Sequence, residues 1–239
     1  MIYASLAAAC LMSPWWSLAA PAKARAAAGQ TKPQQPSLQQ RSPQPDAGDV
    51  GDAVLGRDKA DAERCIECHG ADGQGAGHGN GPEGKFAKLA GQHAAYMLKQ
   101  IRDFRSGARK HDQMAIMARS VSDEDVRDIA AWFASLPAMK PDGGAQGDVP
   151  NRGRQLYAQG DAARGITACI TCHDDKGQGT SGQPLIPVIG GQEWRYLDKQ
   201  LRDWRSGERR NGPDAAMNQA AKALNDNEIE ALASYLSGM

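Results

Sequence analysis

The sequence lacks the patterns that mark several common classes of protein. It contains no alternating apolar and polar run long enough for a β-strand, so nothing indicates a sheet. Its glycine-rich loops, 70–84 and 177–182, fit neither a Walker motif nor a dinucleotide-binding pattern. Basic residues are not in excess, since 28 Lys and Arg stand against 28 Asp and Glu. The sequence therefore argues against a nucleotide-binding domain and against a nucleic-acid-binding protein.

Cysteine is also scarce, and four of the five cysteines lie in two copies of one pattern. The copies of C-x-x-C-H are Cys65–His69 and Cys169–His173, while Cys10 lies in the apolar N-terminal segment. A thioredoxin-like pair would need a βαβ context, which is missing. A four-cysteine zinc site would need the two pairs to lie together, and this is disfavoured because each pair opens its own copy of a repeated segment. C-x-x-C-H is the attachment pattern of c-type haem.

The two motifs therefore predict two covalently bound haem c groups. One helical turn brings both thiols of a motif to the two vinyl groups of the haem, and the adjacent histidine faces the iron. The predicted thioether residues are Cys65, Cys68, Cys169 and Cys172, and the predicted proximal iron ligands are His69 and His173.

The N-terminal region is predicted to be separate from the folded part. Residues 1–28 combine an uncharged apolar stretch with an alanine-rich basic one, which is typical of a cleaved secretory signal; an uncleaved membrane anchor is the alternative. Residues 29–50, rich in Gln and Pro, are predicted to be a disordered tether. Four basic residues precede Asp46, the first acidic one, so the remainder is mildly acidic, with 24 basic and 28 acidic residues.

From about residue 50 onward the chain is a tandem duplication. The segment 91–107 matches 191–207 in register, and 122–136 matches 225–236. We predict an all-α fold with one domain at 51–138, a linker at 139–148 and a second domain at 149–239. Apolar spacing predicts a helix at 92–106 that stops at Gly107, and Ser122 and Asn225 are predicted N-caps of the last helix in each half.

Methionine is the expected distal ligand of such haems, and the repeat points to one position. Met217 lies eight residues before Asn225, and eight residues before Ser122 lies Met114. Met117 is the competitor, but it has no methionine counterpart in the second half. We predict Met114 and Met217 as the distal ligands, and packing against the porphyrin is the alternative role.

Four further residues match between the halves and are candidates for contact with haem propionates. Arg109 and Arg209 follow the Ser-Gly of the middle block, and their alternative role is that of a solvated loop charge. Tyr96 and Tyr196 are expected to be packing residues with hydroxyls that reach a propionate. The remaining histidines, His78, His93 and His111, have no counterparts and are predicted to face solvent.

These residues resemble the dihaem cytochrome c4 family from about residue 50 to the C-terminus. The resemblance is carried by both C-x-x-C-H motifs, the turns 89–92 and 189–192, the Tyr-x-x-x-Gln helix and the distal methionine. It implies two class I cytochrome c domains that face one another. It also implies a proline carbonyl that orients the proximal histidine, where this chain has Ala87 in the first half and Pro187 in the second.

The function implied by the resemblance is that of a periplasmic electron carrier, not an enzyme. Its partners would be the quinol–cytochrome c oxidoreductase as donor and a terminal oxidase as acceptor. The alternative is a haem electron-transfer subunit of a dehydrogenase complex, such as flavocytochrome sulfide dehydrogenase; a dihaem enzyme ranks lower, because two Met/His sites leave no open iron position. Membrane association would involve the N-terminal segment alone.

Overall fold

The fold of each half is a small set of helices. In this computed structural model the described residues are 51–75, 86–141, 148–180 and 182–239, all within one compact unit. The first half forms α1 Ala53–Ala62, α2 Cys65–His69, α3 Ala94–Ser106, α4 Asp112–Ser120 and α5 Asp123–Ser135. The second half forms α6 Asp148–Gln159, α7 Ile170–His173, α8 Trp194–Ser206, α9 Ala216–Ala221 and α10 Asp226–Ser237.

The described residues contain no strand, so the predicted all-α fold is confirmed. An antiparallel bridge joins Asp161 to Ile166, around a 3₁₀ turn at Ala162–Arg164. A further 3₁₀ turn, Pro213–Ala215, precedes α9. The predicted signal and tether, most of the linker and loop residues 76–85 and 181 lie outside the described residues.

The first and last helices of each half cross at a glycine. A Cβ atom placed on Gly56 in α1 would lie 2.0 Å from the carbonyl oxygen of Asp128 in α5. In the second half, a Cβ on Gly153 in α6 would lie 2.0 Å from the carbonyl oxygen of Ala231 in α10. Because backbone meets backbone at both crossings, no larger residue fits there without the helices moving apart.

Each half has its own apolar core, built mainly on this helix pair. In the first half, Leu98, Ile129 and Phe133 are buried together, with the half-buried Cys65 packed against them. In the second half, Leu156, Tyr157 and Leu232 are buried, with Cys169 and Met217 packed against them. The cores therefore place the cysteine motifs beside the crossing helices.

The middle helix starts two residues later than the sequence predicts. It runs from Ala94 to Ser106, because His93 has extended backbone angles and acts as the N-cap. Gly107 ends it, as predicted, with a left-handed φ of 81° that glycine adopts without strain.

Both predicted N-caps of the last helices are confirmed. Ser122 Oγ accepts a hydrogen bond from the backbone N–H of Asp125 (3.0 Å), and Asn225 Oδ1 accepts one from that of Glu228 (2.9 Å). In α10 the Glu228 carboxylate also accepts from the Asn225 N–H (3.1 Å), which completes a capping box. In α5 the Asp125 carboxylate instead accepts from the Ser122 hydroxyl (2.6 Å).

The capping glutamate makes the stability of the second half depend on pH. Glu228 is buried, and its carboxylate accepts from Arg164 (2.6 Å) and Arg152 (3.1 Å). The Arg164 guanidinium lowers the pKa of Glu228 from 4.5 to about 2. An acid with a depressed pKa in the folded state stabilises that state above the unfolded pKa, and the contribution disappears as pH falls toward the folded pKa.

We therefore expect Glu228→Gln to cost on the order of 2 kcal/mol of unfolding free energy at pH 7, since both arginines are partly exposed to solvent. This difference from the wild type should shrink between pH 4.5 and pH 2. Denaturant titration followed by circular dichroism measures it. Glu230→Gln, an exposed position on the same helix, is the control with the same loss of charge. A cost that does not change with pH would contradict the account.

Candidate haem-binding sites

The first C-x-x-C-H motif forms the single helical turn α2 that the attachment chemistry needs. Gly70 ends the turn, and the following loop folds back so that the Gly75 N–H donates to the carbonyl oxygen of His69 (2.8 Å). His69 Nδ1 lies 2.8 Å from the carbonyl oxygen of Ala87. Because a carbonyl can only accept, Nδ1 carries the proton, and Nε2 keeps its lone pair for a metal.

The second motif repeats this arrangement. Cys169 is the N-cap of α7, and the Gly179 N–H donates to the carbonyl oxygen of His173 (3.0 Å). His173 Nδ1 lies 3.2 Å from the carbonyl oxygen of Pro187. The expected carbonyl contact is thus present in both halves. Replacement of proline by Ala87 does not abolish it, since the contact uses a backbone atom.

Burial sets the protonation of these groups. It raises the pKa of the Cys65 and Cys169 thiols to about 11, so they are not the reactive thiolates of a redox C-x-x-C pair. Burial also lowers the pKa of His69 and His173, which favours the neutral imidazole that binds a metal. None of the four motif cysteines forms a disulfide in the described part of the chain.

The loop after each motif packs closely against the repeated turn of the same half, 89–92 or 189–192. A Cβ on Gly73 would lie 2.8 Å from the Ala90 amide nitrogen, and one on Gly177 would lie 2.6 Å from that of Gly190. Both glycines have left-handed φ angles, 67° and 68°. Two thiols on one helical turn and a neutral imidazole of fixed orientation are the groups that haem c attachment requires, and the close-fitting glycine loop packs beside them.

The predicted distal methionines lie at the start of matching helices. Met114 is half-buried in the first turn of α4, and its N–H donates to Nδ1 of His111, the N-cap of that helix (3.3 Å). Met217 is half-buried in α9 and packs against the core that also holds Cys169. Met117 is half-buried too, one turn beyond Met114. Ligation of the iron by these residues stays a prediction.

The four candidate propionate residues lie in a network that joins the two halves. Arg109 donates to the Tyr196 hydroxyl (2.9 Å) and to Gln200 Oε1 (2.8 Å). In the equivalent contact, Arg209 donates to the Tyr96 hydroxyl (3.0 Å). The alternative of a solvated loop charge is wrong, because Arg109 and Arg209 are only 8% and 7% exposed.

Each of these arginines is also stacked on an aromatic ring of its own half. The Arg109 guanidinium carbon lies 4.6 Å from the ring centre of Phe104, and that of Arg209 lies 4.4 Å from the ring centre of Trp204. Stacking of this kind stabilises a cation that has lost its water. Contact with a propionate stays a prediction for all four residues.

Two of the three histidines expected to face solvent, His93 and His111, also make structural contacts. His93 Nε2 lies 3.0 Å from the carbonyl oxygen of Gln178 in the other half. His111 is exposed, as expected, and caps α4. His78 lies outside the described residues.

Gln92 and Gln192, which the sequence marks only as part of a repeated turn, are buried in the interface between the halves. Gln92 Nε2 donates to the Val188 carbonyl (2.9 Å), and its Oε1 accepts from the Val188 N–H (2.9 Å). Gln192 makes the same pair of bonds with Lys88, at 2.9 and 2.8 Å. Recurrence in register is the sequence signal that marks them, and it does not reveal their partners.

The interface also departs from symmetry. The buried Lys88 Nζ donates to the Gly191 carbonyl (2.8 Å) and to that of Lys140, whereas its counterpart is Val188. Gln74 holds the start of the linker by accepting from the Lys140 N–H (2.8 Å). Asn211 donates across the interface, while its counterpart His111 caps a helix. The two haem sites therefore have unequal surroundings.

Comparison with known proteins agrees with this architecture. The cytochrome c family model matches residues 53–137 and 150–239. Cytochrome c4 of Pseudomonas aeruginosa is 40% identical over 193 residues, which cover 80% of this chain and 90% of that protein. The thiosulfate dehydrogenase electron acceptor of Stutzerimonas stutzeri is 37% identical, over 74% of this chain and 80% of that protein.

A solved structure gives the same result for the fold. Reduced cytochrome c4 from Pseudomonas stutzeri superimposes with a TM-score of 0.70 at 36% identity, and the match covers 80% of this chain and all of that one. Helices, with no strand in the part of the chain that the structure describes, and two C-x-x-C-H turns define a tandem c-type cytochrome. The chain belongs to the cytochrome c4 family.

The function class follows from this membership. The chain is a dihaem electron-transfer cytochrome, and it carries two covalently bound haem c groups. The redox chemistry is supplied by the haems, and the protein supplies attachment, axial ligands and surroundings. Within the ranges that the structure describes, no helix is both long and apolar enough to cross a membrane.

Proposed function

We propose that this protein carries electrons in the periplasm from the quinol–cytochrome c oxidoreductase to a terminal oxidase. The observation that supports this best is the pairing of two equivalent histidine sites, His69 and His173, across one hydrogen-bonded interface. Two such sites in one unit let an electron enter at one haem and leave at the other. The proposed interaction partners are therefore other redox proteins.

The proposed roles of the residues follow the two halves. Cys65, Cys68, Cys169 and Cys172 attach the haems through thioethers. His69 and Met114 are the proposed axial ligands of the first haem iron, and His173 and Met217 are those of the second. A six-coordinate iron leaves no place for a substrate, so the proposed protein is a carrier and not an enzyme. The proposed domains remain 51–138 and 149–239, joined by 139–148 and preceded by a cleaved export signal at 1–28 and a tether at 29–50.

A second candidate function is that of electron acceptor for a sulfur-oxidising dehydrogenase. It is favoured by the similarity to the thiosulfate dehydrogenase electron acceptor of Stutzerimonas stutzeri. A dehydrogenase of this kind, or a flavocytochrome sulfide dehydrogenase, would then be the donor. The same two haem sites serve either role, since the difference lies in the partner that docks.

Reduction kinetics with purified partners separate these functions. We expect the oxidised holoprotein to be reduced rapidly by the quinol–cytochrome c oxidoreductase with quinol, and the reduced holoprotein to be oxidised by a haem–copper oxidase. Stopped-flow absorbance measures both reactions, and their rates should fall with salt if charged surfaces steer docking. Rapid reduction by thiosulfate dehydrogenase with thiosulfate, together with no reaction with the quinol enzyme, would favour the second candidate.

A further inference from the structure

One peptide group connects the first proximal histidine to the second half of the molecule. His69 Nδ1–H donates to the carbonyl oxygen of Ala87 (2.8 Å). The N–H of that same peptide group belongs to Lys88, and it donates to Oε1 of Gln192 (2.8 Å). A single rigid peptide plane therefore accepts from the histidine on one side and donates to a glutamine of the other half on the opposite side.

The second half has the reciprocal connection. His173 Nδ1–H donates to the carbonyl oxygen of Pro187 (3.2 Å). The N–H of the same peptide group, that of Val188, donates to Oε1 of Gln92 (2.9 Å). Each histidine is thus linked through two hydrogen bonds to the half of the chain that does not contain it.

Both glutamine side chains are fixed in this position. Gln192 is 3% exposed; its Oε1 also accepts from the N–H of Glu193 (2.9 Å), and its Nε2 donates to the Lys88 carbonyl (2.9 Å). Gln92 is likewise 3% exposed, and its Oε1 accepts from the N–H of His93 (3.0 Å). Because two N–H groups meet one end and a carbonyl meets the other, only one orientation of each amide satisfies its neighbours.

Hydrogen bonds in series strengthen one another. When the peptide N–H donates to a well-placed oxygen, electron density moves toward the peptide carbonyl, which then becomes a better acceptor. A better acceptor for Nδ1–H makes the imidazole more basic at Nε2, and outer hydrogen bonds of this kind tune a metal through its ligand. A more basic ligand favours the oxidised iron and so lowers the reduction potential.

We propose that Gln192 and Gln92 are positioning residues that set the reduction potential of the haem in the opposite half. The inference rests on the proposed axial roles of His69 and His173. It makes the interface an electronic connection between each half and the histidine of the other, in addition to holding the two halves together.

The test is a crossed pair of substitutions in the holoprotein. We expect Gln192→Leu to raise the potential of the first haem and to leave that of the second unchanged. Gln92→Leu should raise the potential of the second haem and leave that of the first unchanged. A redox titration followed by NMR measures both, because the haem methyl signals report each domain separately. A purely structural role of the glutamines would not produce crossed shifts.

Asn211→Leu is the matched control at the interface. Asn211 donates across it to Gln100 Oε1 (2.9 Å) and Asp103 Oδ2 (2.6 Å), and it accepts from Arg209 Nε (3.0 Å). None of these bonds involves a peptide that holds a histidine, so the first haem is the one to compare with Gln192→Leu. This variant should not shift the reduction potential of one haem relative to that of the other. If Gln192→Leu gives no holoprotein, Gln192→Asn withdraws the amide by one carbon while it keeps a polar side chain, and the same shift of the first haem is expected.

Three results would overturn the proposal: equal shifts of both haems, a shift of the haem in the substituted half, or no shift. Failure of the axial assignment itself is recognised separately. The reduced wild-type protein would then lack the ring-current-shifted imidazole signals of two iron-bound histidines before any substitution is made.

Discussion

Replacing Met217 with histidine is expected to lower the reduction potential of the second haem and to leave that of the first unchanged. Histidine is a stronger donor to oxidised iron than a thioether, and the choice of axial ligand moves haem potentials over a range of roughly 0.8 V. The shift should therefore be larger than that of a substitution that leaves both axial ligands in place. Redox titration followed by absorbance measures it, together with loss of the far-red methionine–iron band of that haem.

The matched variant in the first half is Met114→Leu, which removes the proposed ligand without a replacement. It should abolish the methionine–iron band of the first haem and open its iron to added ligands. Met117→Leu, one turn further along α4, is the control and should leave both bands in place. If Met114→Leu leaves the first haem unaltered and Met117→Leu does not, the assignment of the distal ligand is wrong.

Replacing Gly153 with alanine is expected to destabilise the second half by about 3 kcal/mol, the upper part of the range for an overfilled core. The added Cβ would lie 2.0 Å from the Ala231 carbonyl oxygen and 2.8 Å from the Tyr235 Cβ, so α6 and α10 must separate. The core that holds Cys169 and Met217 lies against this helix pair. Denaturant titration of the holoprotein, followed by the signals of each haem, measures the loss.

Gly238→Ala is the control for this substitution. It adds the same atom near the end of the same helix pair, but its nearest neighbours lie at 3.6 Å, an ordinary contact distance. Its effect should be small. Gly56→Ala should repeat the loss in the first half, where the Asp128 carbonyl oxygen would lie 2.0 Å from the added atom. Unchanged stability of Gly153→Ala would contradict the close crossing.

The local features of this protein are those that the sequence predicted best. The C-x-x-C-H turns, the glycine that ends α3 and the caps Ser122 and Asn225 depend on residues within a few positions of one another. Because the chain is duplicated, each of these features could be recognised twice, once in each half. The duplication also showed that Met114 and Met217 occupy equivalent positions, although ligation is still to be tested.

The contacts between the two halves could not be predicted from the sequence in this way. Gln92 and Val188 are 96 residues apart, and Arg109 and Tyr196 are 87 apart, so neither periodicity nor spacing connects them. The sequence predicts contact of Arg109 with a propionate or with solvent, whereas the structure buries it against Tyr196 of the opposite half. Spacing also does not predict the later start of α3, where His93 is extended and the preceding Gln92 binds Val188 of the other half.

We expect both irons to be six-coordinate and to serve electron transfer alone. The most direct test is a stepwise anaerobic reductive titration of the holoprotein, with carbon monoxide added at the end. Two one-electron waves of different potential and no rapid binding of carbon monoxide are the predicted result. Rapid binding to either reduced haem would reveal an open coordination position and would contradict the account of a carrier.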